Sequence, residues 1–316
     1  MGWARAGVWA RAGRGTGPVA GGAGMLALVL GLAVAGPSLT PAVAVAQEAP
    51  ATGGAQAPSE AVEREVDALL AAIRIDDTIA ILREEGLEYG QTLEDDMFPG
   101  AGGASWGATV ALIYDGARMR AAFRAALVED FAADPAAVAP ITEFFASDLG
   151  RKVVDLEIEG RRSLLDDAVE EASKAALEDL RAVDGPRLDL LERFVTVNDL
   201  VESNVSGALN ANLAFYRGMQ RGGAFGDKMT EEQMLSDVWG QEPEIRQSTE
   251  DWVYSYLNLA YGPLSDAELG AYADFSETAA GQRVNRALFG AFDRVFTPIS
   301  EALGVAVARQ MQGQDI

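Results

Sequence analysis

From Ser147 to Val183 apolar residues recur every three or four positions: Leu149, Val153, Leu156, Gly160, Leu164, Ala168, Ala172, Ala176 and Leu180. That spacing is the repeat of one face of an α-helix and fits no strand. Between them lie Glu157, Glu159, Asp166, Asp167, Glu170, Glu171, Glu178 and Asp179. The segment therefore reads as one helix, or two in line, with an apolar stripe and an acidic outer face. Gly160 falls on the stripe and marks a kink or a close helix contact. The same period runs through Val62, Val66, Leu69, Leu70 and Ile73, with Ser59 placed to cap them.

Helix starts are written in the same language. Ser265 with Glu268 and Thr230 with Gln233 have the spacing of capping boxes, in which each end satisfies the other's backbone N–H. Thr297-Pro298 has the form of a cap followed by proline at the first helical position. Alternating β-branched stretches are short and rare. The expected fold is all-α.

The first segment reads as an address. Arg5, Arg11 and Arg14 are the only charges before Glu48, the apolar run Met25–Gly36 follows, and Ala44-Val45-Ala46 precedes Gln47. A basic start, a short apolar run and a small-x-small site make a Sec-type signal peptide, with cleavage expected after Ala46 and a periplasmic destination. Retention of that run as an anchor is the alternative, although it is short against the roughly 20 residues of a spanning helix. The expected organisation is a signal peptide over 1–46, a Pro/Ala/Gly linker over 47–58, one helical module over 59–183 and a second over 184–316, with no later span able to stay in a membrane.

The two modules read as diverged copies. Setting Ala133–Ala168 over Leu264–Ile299 places Phe144 on Phe275, Gly150 on Gly281 and Val153 on Val284. Upstream, Asp67, Leu69 and Asp77 fall on Asp189, Leu191 and Asp199, and Trp106-Gly107 is matched with Trp239-Gly240. The segments FFASDLGRKV and FSETAAGQRV resemble the bacterial domain-of-unknown-function 2059 family. In that family a helix-start signal, a Phe or Tyr, and a Gly followed by Gln or Arg open the most recognisable helix pair. The resemblance implies an exported helical protein of Gram-negative bacteria. It implies no reaction and no catalytic residues.

Composition narrows the chemistry. The chain has no Cys and no His. It therefore has no disulfide, no thiolate zinc site, and neither the usual general base nor the commonest transition-metal ligand. A net charge of −23 repels nucleic acid and anionic lipid surfaces, so neither is expected as a partner. Gly103-Ala-Ser105-Trp-Gly107 matches the nucleophile-elbow pattern, but no His exists to take the proton, and a loop leading into a helix near Trp106 is expected instead. Glu94-Asp95-Asp96, read as a loop, is the best of the acidic clusters for a cation. It lacks the EF-hand spacing, and no metal or other cofactor is expected.

Three functional classes remain. The first is a non-catalytic envelope protein that binds or scaffolds another envelope protein. The second is a carrier of an apolar or lipid-like ligand between the modules. The third is a cell-wall glycan hydrolase working with Glu202, which is followed by Ser203 and by Ser206-Gly207-Ala208-Leu209. Aromatic residues gather at Trp252, Tyr254, Tyr256 and Tyr261, and a groove between the modules lined by Trp239, Trp252 and Tyr256 is the expected ligand site.

Overall fold

The computed structural model describes residues 60–226 and 229–313, so the signal peptide, the linker and the Ser59 cap lie outside the described residues. Among the described residues the chain is helical, with no strand. Helices α1 (Glu60–Ala72), α2 (Ile75–Met97), α3 (Gly103–Ile113), α4 (Gly116–Phe131), α5 (Val138–Ala146), α6 (Asp148–Ser163) and α7 (Asp167–Val183) form the first half. Helices α8 (Pro186–Val197), α9 (Leu200–Arg221), α10 (Glu231–Gly240), α11 (Glu242–Tyr261), α12 (Asp266–Glu277) and α13 (Ala279–Met311) form the second. One apolar core runs through both.

The halves share their corners. Helices α1 and α2 meet at Arg74, whose φ of 50° is left-handed, and α8 and α9 meet at Asp199, with φ 49°. The two corners lie 125 residues apart, three more than the offset that sets Asp77 over Asp199. Arg74 is held in this sparsely populated conformation by Asp77 at 2.8 Å and Asp155 at 2.5 Å.

A second shared corner explains the recurring Phe-x5-Gly. Between α5 and α6 the Ser147 hydroxyl donates to the Phe144 carbonyl at 2.6 Å and accepts from the Gly150 N–H at 3.0 Å. Between α12 and α13 Thr278 does the same with Phe275 and Gly281, at 2.6 and 3.0 Å. A Cβ on Gly150 would lie 2.1 Å from the Phe144 carbonyl oxygen, and one on Gly281 would lie 2.2 Å from that of Phe275. The tightness of the corner, not a backbone angle, demands glycine. The two phenylalanines themselves stack face to face, with centroids 3.6 Å apart and planes 2° from parallel.

Packing across the halves is reciprocal. Helix α6 lies on α11 while α13 lies on α4, and α12 touches α6 while α5 touches α13. Lys152 on α6 reaches Glu268 on α12 at 2.6 Å. Arg283, one residue before Val284 as Lys152 is before Val153, reaches Asp130 at the end of α4.

The segment Ser147–Val183 is broken. Leu164, Leu165 and Asp166 interrupt it, and the Asp166 side chain caps α7 by accepting from the Ala168 N–H. The break resets the phase. Ala168, Ala172 and Ala176 face solvent, and the buried face of α7 carries Glu170, Ser173 and Leu177 instead. Glu157 and Glu170, assigned to an acidic outer face by their neighbours, are buried. Gly160 makes a close helix contact: its Cα faces Ala260 on α11, 2.9 Å from where a Cβ would sit.

Thr297-Pro298 does not start a helix, because α13 runs through it. Proline removes one backbone bond, and in a helix interior it costs about 3 kcal/mol. Burial against α9 along the length of α13 outweighs that. The two helices approach until Gly304 abuts the Phe215 carbonyl and Gly218 abuts that of Glu301. Both expected capping boxes, at Thr230 and Ser265, are present.

Candidate functional site

Helix α7 leaves the line of α6 and lies beside α11. Between them runs an open groove of about 610 Å³. Helix α7 contributes Glu171, Lys174, Ala175, Leu177 and Glu178, and α11 contributes Glu244, Gln247, Ser248, Asp251, Trp252 and Ser255. On each helix these positions share a face by their spacing of three, four and seven. The most buried of them, Leu177, Trp252 and Ser255, make the floor, and the charged residues make the rim.

Two polar atoms of the floor have no hydrogen-bond partner among the described residues: the indole Nε1 of Trp252 and the hydroxyl of Ser255. Both side chains are more than nine-tenths buried. A buried donor left unmade costs roughly 1–3 kcal/mol, so a floor with two of them is a surface short of an acceptor. The rim is acidic. Lys174 pairs with Glu170 and Glu171, and Arg181 beside the groove pairs with Glu178 at 3.0 Å and Asp251 at 3.3 Å. Glu244 adds a further carboxylate at the open end.

Of the three aromatic residues expected to meet in one groove, only Trp252 lines this one. Tyr256 stacks behind it, with centroids 5.1 Å apart and planes at 8°, inside the core. Trp239 stands on α10 with 62% of its surface exposed and is separate from both. Trp106, set against Trp239 in the sequence, is 1% exposed and donates its Nε1–H to the Gly90 carbonyl at 2.7 Å. The break at Leu164–Asp166, which creates the groove, leaves no mark in the apolar period. Only the capping Asp166, with Asp167 after it in the first turn, signals it.

Around Glu157 the seam between the halves is packed. Glu157 of α6 accepts from the Tyr261 hydroxyl at 2.7 Å and from that of Tyr272 at 3.1 Å, while the Tyr256 hydroxyl donates to the Glu157 carbonyl at 3.0 Å. Burial holds all three phenols well above their usual range. Arg161 donates to Glu85 at 2.6 Å in the same layer. The space beside this cluster, lined by Thr78, Glu157 and Arg161 among others, measures only about 10 Å³.

The remaining sequence candidates have structural partners. Glu202 is on the surface of α9, gripped by Arg246, which also takes Glu242 at 2.6 Å. The Arg246 hydrogen bond holds the Glu202 carboxyl below its usual range, the opposite of what a general acid needs. Glu94, Asp95 and Asp96 end α2 and are not in a loop. The Glu94 carboxylate accepts from the N–H groups of Gly102 and Gly103, each at 3.0 Å, and so closes the start of α3. Gly103-Ala-Ser105-Trp-Gly107 forms the first turns of that helix, with no strand before it. Among the described residues no helix is long and apolar enough to cross a membrane. Compared with known protein families, curated proteins and solved structures, the chain matches none.

Proposed function

We propose that the chain is an exported, non-catalytic binding protein of the bacterial cell envelope, built from a duplicated helical module. Its binding face is the α7–α11 groove, and its partner is another envelope protein. The observation that carries this reading is the floor of the groove, where Trp252 Nε1 and Ser255 Oγ are buried beneath an open surface without hydrogen-bond partners. The signal-like first segment supports export to the periplasm, and the two Ser/Thr-capped Phe-x5-Gly corners support both duplication and the likeness to the domain-of-unknown-function 2059 family. The packed layer around Glu157 speaks against a lipid-like ligand enclosed between the halves. The Arg246 clamp speaks against Glu202 as a hydrolytic acid.

The test is a photoreactive amino acid placed in living cells at position 247 in the groove, and separately at position 65 on α1. The expected result is one discrete adduct from position 247, lost when Trp252→Ala is added, and none from position 65. No adduct from the groove, or the same adduct from both positions, overturns the reading.

A further inference from the structure

The groove also specifies what fills it. Its α11 side extends from Glu244 to Ser255, about 16 Å at about 1.5 Å per residue. That is a stripe about three turns long between two helices, the shape that receives a third helix. The rim carries Glu171, Glu178, Glu244 and Asp251 against two cations, Lys174 on Glu171 and Arg181 on Glu178 and Asp251, on a chain whose net charge is −23. The floor is apolar at Ala175, Leu177 and the Trp252 ring, and beneath it Trp252 Nε1 and Ser255 Oγ lack hydrogen-bond partners among the described residues. A carboxylate acceptor would be repelled by the rim. A neutral side-chain amide would satisfy the floor without that cost.

We infer that the groove binds a short basic amphipathic helix. The helix lays an apolar face on Leu177 and Trp252, places a neutral acceptor such as Gln toward Trp252 and Ser255, and points Lys or Arg at Glu244, while Glu178 and Asp251 are already held by Arg181. This rests on the groove being the binding face and adds the chemistry of the partner segment. The aliphatic side chains of such a segment bury on the floor, and its charges set the encounter rate and the salt dependence.

The probe is a synthetic Leu/Lys amphipathic helix of about 14 residues with one central Gln, titrated calorimetrically into the full chain after signal removal. Binding is expected to fall several-fold on Trp252→Phe, which keeps an aromatic ring at the position but removes the donor and part of the ring. It is expected to fall again on Glu244→Gln, a surface change that leaves the fold intact, and to weaken with added salt. A Lys/Gly peptide of equal charge is expected not to bind. Equal binding by that peptide, or affinity unmoved by both substitutions with unchanged circular dichroism, overturns the proposal. So does binding of dodecyltrimethylammonium but not of the helix, which would assign the groove to small amphiphiles. A partner cross-linked at position 247 with no response to the basic helix overturns this chemistry and leaves the binding role standing. If both measurements fail, both readings fall.

Discussion

Glu157 and Arg161 are four residues apart on the face of α6 that also carries Val153, Val154 and Ile158, and all five are buried. The apolar period places Glu157 on the acidic outer face of the helix, and nothing in it marks Arg161 as interior. What the sequence conceals is the partner: Glu85 lies on α2, 2.6 Å from Arg161, with both side chains 4% exposed. Removing one member of such a pair leaves a buried charge and costs about 3–5 kcal/mol, whereas an apolar replacement of both is often neutral. Arg161→Met is therefore expected to lower stability by about 3–5 kcal/mol, and the double change Glu85→Leu/Arg161→Met to recover most of it. Urea unfolding of the three chains measures this. A double variant no more stable than Arg161→Met would show that Arg161 serves the surrounding tyrosine layer and not Glu85.

At the scale of the element, local chemistry was read correctly and tertiary packing was not. Ser265 and Thr230 cap α12 and α10 as their spacing predicts, because a cap is decided within four residues. Pro298 sits in mid-helix because α9 covers α13, a contact about eighty residues away that no window contains. The turn before α7 resets which face is buried, so extending the period of α6 puts Ala168, Ala172 and Ala176 inside when they are outside. For α12 the cap residue Glu268 also takes Lys152 from α6, and that hydrogen bond first, then those of Ser265, hold its carboxyl down at about 2. A carboxyl whose pKa falls on folding adds stability above its ordinary value of 4.5, and loses that contribution as pH drops toward 2. Glu268→Gln, which keeps the capping geometry, is expected to lower Tm at pH 6 and to converge with the parent as the pH approaches 2. A constant difference across that range would mean that the cap, and not the charge, carries the effect.

For the whole molecule, the halves clasp each other through matched contacts. Helix α6 packs on α11 and α13 on α4, Phe144 stacks on Phe275, and the pairs Lys152–Glu268 and Arg283–Asp130 close both sides. The arrangement resembles an isologous dimer made within one chain. A shared core predicts one cooperative transition, so Phe144→Ala and Phe275→Ala should each shift the same single melting step seen by circular dichroism. Two separated steps would show that the halves fold independently. The tertiary layer that joins them also gives the chain an optical property. All seven tyrosines have their ionisation pushed upward by burial, three of them around Glu157. In alkali the five buried phenols, three of them in the clasp, resist ionisation in the folded chain and add to the phenolate band as it opens. The protein thus carries its own colorimetric gauge of whether its two halves are still together.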